Sequence, residues 1–168
     1  MASVLATIDT GNSGAAILFP NNETRIYYQG AEGGIHEAEG TGPATSNSGY
    51  LYRLVVSPSG VRANSPIAAI TWTDKNKREQ ICLYFVDQAN ILREYVGISS
   101  SSAFNDGALS GMKYQVQPGS TLLYAIVASV DLENNTASLR VGFQATDAPS
   151  VITEAYYDGS KWERGTFA

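Results

Sequence analysis

Three stretches of the chain superimpose in sequence at nearly one spacing, and no other feature limits the fold as tightly. They are residues 24–40 (TRIYYQGAEGGIHEAEG), 80–96 (QICLYFVDQANILREYV) and 138–157 (SLRVGFQATDAPSVITEAYY). Each reads as strand, turn, strand. In the first, Arg25, Tyr27 and Gln29 alternate with Thr24, Ile26 and Tyr28, the period of two that sends successive side chains to opposite faces. Gly30, Gly33 and Gly34 make the connection, where positive φ costs little. Ile35, His36 and Glu37 begin the return strand. Aligned on the first strand, Arg25, Cys82 and Arg140 share a position, at steps of 57 and 58 residues. Glu37, Glu94 and Glu154 share another, at steps of 57 and 60. A small apolar run precedes each hairpin: Ala15-Ala16-Ile17, Ala68-Ala69-Ile70 and Tyr124-Ala125-Ile126. A regular repeat of this length means a repeated supersecondary unit.

Each unit has three or four antiparallel strands in roughly 55 residues, close to the size of a propeller blade. The expected fold class is therefore all-β, with almost no helix. The units run over about 1–60, 61–116 and 117–168. Residues 2–8 are expected to form a short strand, and 40–49 (GTGPATSNSG) and 104–107 to be loop. Residues 112–116 are read as either an outer strand or a connector.

Composition narrows the function classes. The formal net charge is −5, which argues against nucleic acid as a partner, since phosphate binding needs a basic surface. Sixteen glycines and ten tyrosines accompany a 43% hydrophobic content, in keeping with many short strands. The single cysteine, Cys82, precludes an intramolecular disulfide and is expected to be a small buried residue. The first residues show no basic, apolar leader, and no run is long enough to span a membrane, so a cytoplasmic product, or one released without a signal peptide, is the expectation. The sequons at Asn22 and Asn134 are then expected to stay unused. No phosphate loop, metal motif or nucleophile elbow is present. A glycosidase needs two carboxylates across one bond, whereas here the glutamates come one per unit, which suits repeated binding better than one catalytic centre. His36 is the only histidine and has no metal partner set. Trp72, taken alone, reads as core.

The elements SPIAAITW (65–72), TRIYYQ (24–29), NILREYV (90–96), LRVGFQ (139–144), ITEAYYDGSKW (152–162) and QPGSTLLYAI (117–126), by their order, spacing and repetition along the chain, resemble the fungal fucose-binding lectins of the Aleuria type. That resemblance implies a six-bladed β-propeller of four-stranded blades, non-catalytic and without cofactor or metal. In that family a sugar sits between neighbouring blades. An arginine of the second strand and a glutamate of the third hold its hydroxyls and ring oxygen, and an aromatic of the next blade covers its apolar face. A guanidinium supplies fixed planar donors, a carboxylate accepts from two hydroxyls, and an aromatic ring suits a C–H face.

Carried over by position, the resemblance implies Arg25 and Glu37 in unit one, Glu94 in unit two, and Arg140 and Glu154 in unit three. Tyr157 and Trp162 supply the aromatics. Cys82 stands where unit two should carry its arginine, so that pocket is expected to be weakened or dead. The aromatic pair is full only in unit three. Gly97 and Ser102, and Gly40 and Thr45, fill the same offsets in the other two, with Phe104, Tyr50 or Tyr52 as substitutes from shifted loops. The implied ligands are fucosylated or related glycans. A propeller serving as scaffold, storage or interaction protein is the alternative. Three blades cannot close a ring, so a head-to-tail homodimer is expected, against a monomer whose residues 2–8 cover an exposed face.

Overall fold

A computed structural model describes residues 6–43 and 49–167. It contains three four-stranded antiparallel sheets. The first is β1 (Gly14–Leu18), β2 (Glu23–Gln29), β3 (Ile35–Thr41) and β4 (Leu51–Val56). The second is β5 (Ile67–Thr73), β6 (Glu79–Val86), β7 (Leu92–Ile98) and β8 (Phe104–Asp106). The third is β9 (Leu123–Asp131), β10 (Thr136–Phe143), β11 (Thr153–Tyr157) and β12 (Trp162–Thr166). Each sheet is a meander in chain order. The innermost strands β1, β5 and β9 lie side by side, the arrangement of propeller blades about an axis. Among the described residues the helical turns are 3-10 turns, Pro58–Gly60 and Ala108–Met112.

Pairing register reproduces the sequence alignment. Arg25, Cys82 and Arg140 stand opposite Ile17, Ile70 and Ile126 on the inner neighbour of each blade. Glu37 and Glu94 stand opposite Tyr27 and Tyr84, while Glu154 stands opposite Gly142. Each blade thus has a leading face, bearing the Arg25, Cys82 or Arg140 position, and a trailing face, bearing Ile26, Leu83 or Val141.

Two seams hold the blades together. Ile17, Phe19 and Tyr27 of blade one meet Ile81, Leu83 and Phe85 of blade two. Cys82, Tyr84 and Val86 of blade two meet Leu139, Val141 and Phe143 of blade three. Both are apolar faces removed from water, the main favourable term in folding. Polar ties flank them. Gln29 donates to the Arg62 carbonyl and accepts from the Ser65 N–H, and Arg62 donates to Asn90 and to the Ser120 carbonyl.

Some local expectations shift. Phe104–Asp106, expected as loop, is the outer strand of blade two. The 112–116 segment is a connector, bridged at Gln115 to Ile91 and at Val116 to Ala145. Of the strand expected at 2–8, residues 6–8 carry no strand and 2–5 lie outside the described residues.

Candidate functional site

The three glutamates share one local setting, a tyrosine phenol against a buried or half-buried carboxyl. In blade two the Tyr84 hydroxyl donates to Glu94 Oε1 at 3.0 Å. In blade one Tyr27, buried, lies beside Glu37, and burial first, then the Glu37 charge, push its phenol well above the usual range. Blade three has Gly142 at the equivalent place. A Cβ there would sit 2.1 Å from the Tyr124 ring, so only glycine admits that ring from β9. The Tyr124 hydroxyl then donates to Glu154 Oε2 at 3.0 Å. Ala15 and Ala68 pair with Tyr27 and Tyr84, while Tyr124 pairs with Gly142. The large and small partners have exchanged strands.

The seam between blades one and two brings Arg25 and Glu37 together, 3.4 Å apart. Arg25 is 1% exposed and Glu37 0%. The guanidinium also holds Glu23 at 3.0 Å and Glu39 at 3.5 Å, and donates to the Ser99 carbonyl across the seam. Burial lowers its pKa, but Glu37, Glu23 and Glu39 together raise it further. Arg53 makes a second ion pair with Glu37 at 2.5 Å. Phe104 of blade two meets Tyr27 edge to face at 6.2 Å between centroids. All three Arg25 guanidinium nitrogens are thus engaged within the protein.

The seam between blades two and three is the open one. A cavity of about 370 Å³ lies there, lined by Cys82 and Glu94 of blade two and Tyr157 and Trp162 of blade three, with Trp72 and Arg78 at its sides. Tyr157 and Trp162 rings stand 5.2 Å apart. The turn before Trp162 is fastened by Asp158, which accepts from the Ser160 and Lys161 N–H groups and the Ser160 hydroxyl. Those bonds hold its pKa down to about 2. Glu94 accepts from the Leu109 N–H at 3.0 Å as well as from Tyr84. Burial nevertheless raises its pKa, because neutral donors do not replace lost water. Cys82 is buried, and burial first, with the Glu94 charge second, pushes its thiol up. Trp72, expected as core, packs against the core and also lines this cavity.

Arg140 and Glu154 occupy the leading face of blade three, which no described residue covers. Arg140 Nε donates to Glu154 Oε1 at 2.8 Å. The Arg140 side chain is 39% exposed and the Glu154 side chain 15%. Hydrogen bonding to Glu154 raises the Arg140 pKa.

The aromatic equivalents fall at different offsets from those expected. Trp162 pairs with Tyr157 at the start of its outer strand. Phe104 pairs with Gly97 in the same way. Tyr50 lies against Gly40, where a Cβ would be 2.8 Å from its ring. Every blade therefore has one aromatic at this corner, and where it lacks Tyr157 it has a glycine on which the ring lies. Ser102 is not part of this corner, and Thr45 lies outside the described residues. The glycines carried the signal, since Gly40 and Gly97 sit three residues after their glutamates just as Tyr157 does. His36 stacks on Tyr28 at 5.6 Å and pairs with Glu32, on the trailing face of blade one. Among the described residues no cluster of His, Cys, Asp and Glu could hold a metal ion, and no helix is long and apolar enough to cross a membrane.

Known proteins share this fold. A fucose-specific lectin of Aspergillus oryzae is 30% identical over 156 residues, 92% of this chain and 44% of that protein. The Aleuria aurantia lectin in complex with Fucα1-6GlcNAc superimposes with a TM-score of 0.77 at 26% identity, over 97% of this chain and 50% of that one. Another structure of that lectin, described as a six-bladed β-propeller, gives 0.73 at 25% identity, over 93% of this chain and 48% of that one. The chain spans about half the length of these relatives. A lectin chain from Kordia zhangzhouensis gives 0.65 at 18% identity, over 92% of this chain and 98% of that one, so its fold is matched almost end to end. The sequence model described as fungal fucose-specific lectin matches residues 10–167, and the chain belongs to that family.

Proposed function

We propose that this protein is a non-catalytic lectin that binds fucose-bearing glycans between blades. The observation that carries this reading is the Arg140–Glu154 pair at 2.8 Å with the Tyr124 hydroxyl on the other carboxylate oxygen, half exposed on an uncovered face. A pyranose offers vicinal hydroxyls that both donate and accept, which suits a guanidinium beside a carboxylate. The relatives solved with fucosides support the choice of sugar.

The half-site wants a second wall. Blade one's trailing face is an apolar groove of about 850 Å³, lined by Leu18, Ile26, Tyr28, Tyr50 and Tyr52 among others. At the two internal seams the matching positions, Leu83 and Val141, are fully buried, whereas Ile26 and, across on blade three, Ile126 and Tyr156 are exposed. We propose that two copies close head to tail, blade three of one on blade one of the other, as a six-bladed homodimeric ring. Tyr50 of the second copy would then stand to Arg140 and Glu154 as Trp162 stands to Glu94. Several weak sites on one ring would act through avidity.

Titration with methyl α-L-fucoside tests the site. Wild type should bind with an affinity on the order of millimolar to micromolar, and Arg140→Ala should weaken it at least about tenfold, as loss of a charge-assisted contact does. Unchanged binding in that variant would remove Arg140 from the site. Light scattering should give about 36 kDa, twice the 17.9 kDa of one chain, and a stable particle of single-chain mass at micromolar concentration would refute the ring. The scaffold reading is favoured by one observation, the engagement of Arg25 and Glu37 in ion pairs within the protein. A protein that binds no glycan would establish it.

A further inference from the structure

The cavity between blades two and three differs from the other two glutamate sites in charge. Three carboxylates line it. Asp74 is held by Arg78, Nε at 2.9 Å and Nη2 at 2.8 Å. Asp106 is held by Arg93 at 2.8 Å. Glu94 is held by neutral donors, the Tyr84 phenol, the Leu109 N–H and the Cys82 thiol, and among the described residues no Lys, Arg or His forms an ion pair with it. At the same register Glu37 has Arg25, and Glu154 has Arg140. Cys82 removes the cation from this site and leaves the carboxylate, 3% exposed, at the wall of an open cavity. A buried carboxylate without a counter-charge is costly, and a cation delivered to it gains accordingly.

The remaining wall suits a cation on an apolar frame. Trp72, Tyr157 and Trp162 line the cavity, and the Glu94 charge acts on the Tyr157 phenol from across the seam. Aromatic faces attract ammonium groups, tryptophan most strongly. They also cover the C–H face of a sugar ring. The volume, about 370 Å³, lies within the usual range for a small-molecule site. Arg78 does not cancel the attraction, because both of its contacts go to Asp74. The net charge left in the cavity is that of Glu94.

We propose that this cavity binds an amino sugar, a pyranose with a free protonated amine, the ammonium taking the place beside Glu94 that the arginine side chain takes in the other two blades. This rests on the lectin reading for the sugar frame, and on Cys82 and Glu94 for the amine. The site is separate from the Arg140–Glu154 half-site and complete within one chain.

Calorimetric titration of the whole protein with the methyl glycosides of glucosamine, galactosamine and mannosamine, and with their N-acetyl counterparts, tests it. At least one free amine should bind, and acetylation, which removes the charge, should weaken it by at least about tenfold. Glu94→Gln should weaken the same amine by a similar factor. Cys82→Arg should abolish amine binding by supplying the cation from the protein. A thermal melt of each variant reports whether it is folded, and the near-isosteric Glu94→Gln carries the test should Cys82→Arg fail to fold. Equal binding of free and acetylated sugars, binding indifferent to Glu94→Gln, or binding by none of the three amines would overturn the proposal. Methyl α-L-fucoside titrated in parallel separates the two readings. Fucoside binding without amine binding refutes this inference alone, and amine binding without fucoside binding refutes the fucose reading alone.

Discussion

Arg25 and Arg140 hold the same place in their blades, yet truncating them should have very unequal consequences for stability. The Arg25 guanidinium faces Glu23, Glu37 and Glu39 within 3.5 Å and the Ser99 carbonyl of the next blade. Arg25→Ala leaves Glu37, fully buried, with Arg53 alone. Removing one partner of a buried pair costs about 3–5 kcal/mol. Arg140 lies on an uncovered face with a partly exposed partner, and a pair of that kind contributes about 0–1 kcal/mol. In a chain of this length each kcal/mol moves the melting temperature by about 2–4 °C. Arg25→Ala should therefore melt about 6–20 °C lower, and Arg140→Ala within about 4 °C of wild type. The double variant Arg25→Met/Glu37→Met isolates the cause. It removes both charges and keeps apolar volume, an exchange that is often close to neutral, so most of the loss should return. Scanning calorimetry at one fixed protein concentration makes the comparison, because assembly also shifts melting. If Arg25→Ala melts with wild type, or if the double variant is no more stable than the single, the reasoning from buried charge is wrong.

Two further outcomes follow from packing and charge. Gly142→Ala puts a methyl group where the Tyr124 ring lies and should cost about 1–3 kcal/mol, seen as a lower urea midpoint. Gly142→Tyr combined with Tyr124→Ala rebuilds the pairing of the other two blades and should recover that loss, so a double variant less stable than Gly142→Ala would count against the exchange. Burial raises the Glu94 pKa in the folded protein above an unfolded value of about 4.3. Ionised Glu94 therefore destabilises the fold to an extent that is nil below the unfolded value and grows as pH rises through the folded one. Glu94→Gln should thus out-melt wild type at pH 7, with the difference shrinking toward pH 4, and a difference that grows on acidification would contradict the assignment.

The fold was legible because it is written three times. One hairpin of alternating residues is a weak signal, but the register of Arg25, Cys82 and Arg140 against Ile17, Ile70 and Ile126 follows directly from the repeat. The pairing of arginine with glutamate was legible for the same reason, since a tight hairpin brings such positions together. The aromatic corner was not. Phe104 and Tyr50 sit beyond loops of unequal length, so counting from the glutamate landed on Ser102 and Thr45. Accessibility was not legible either. Nothing in a strand pattern tells that Ser99 and Glu23 will occupy Arg25, or that replacing an arginine by Cys82 leaves an open cavity rather than a collapsed seam. Those outcomes depend on contacts between blades, which the period within one blade does not encode.

The exchange of Tyr and Gly between β9 and β10 bears on how such repeats diverge. Each glutamate has a phenol beside it, yet in two blades the ring comes from the same strand position and in the third from its neighbour. A column-by-column comparison of the three units would score blade three as having lost its tyrosine twice over, once by gaining Gly142 and once by placing an aromatic where alanine belongs. What persists is a phenol beside the glutamate, and two substitutions in partner strands are needed to move its source. Only one order is open: a second tyrosine opposite the first has no room, whereas a glycine first leaves only a void. Converting the pairing of the other two blades into that of blade three therefore requires the glycine before the tyrosine, and a blade caught midway would be loosely packed rather than clashing.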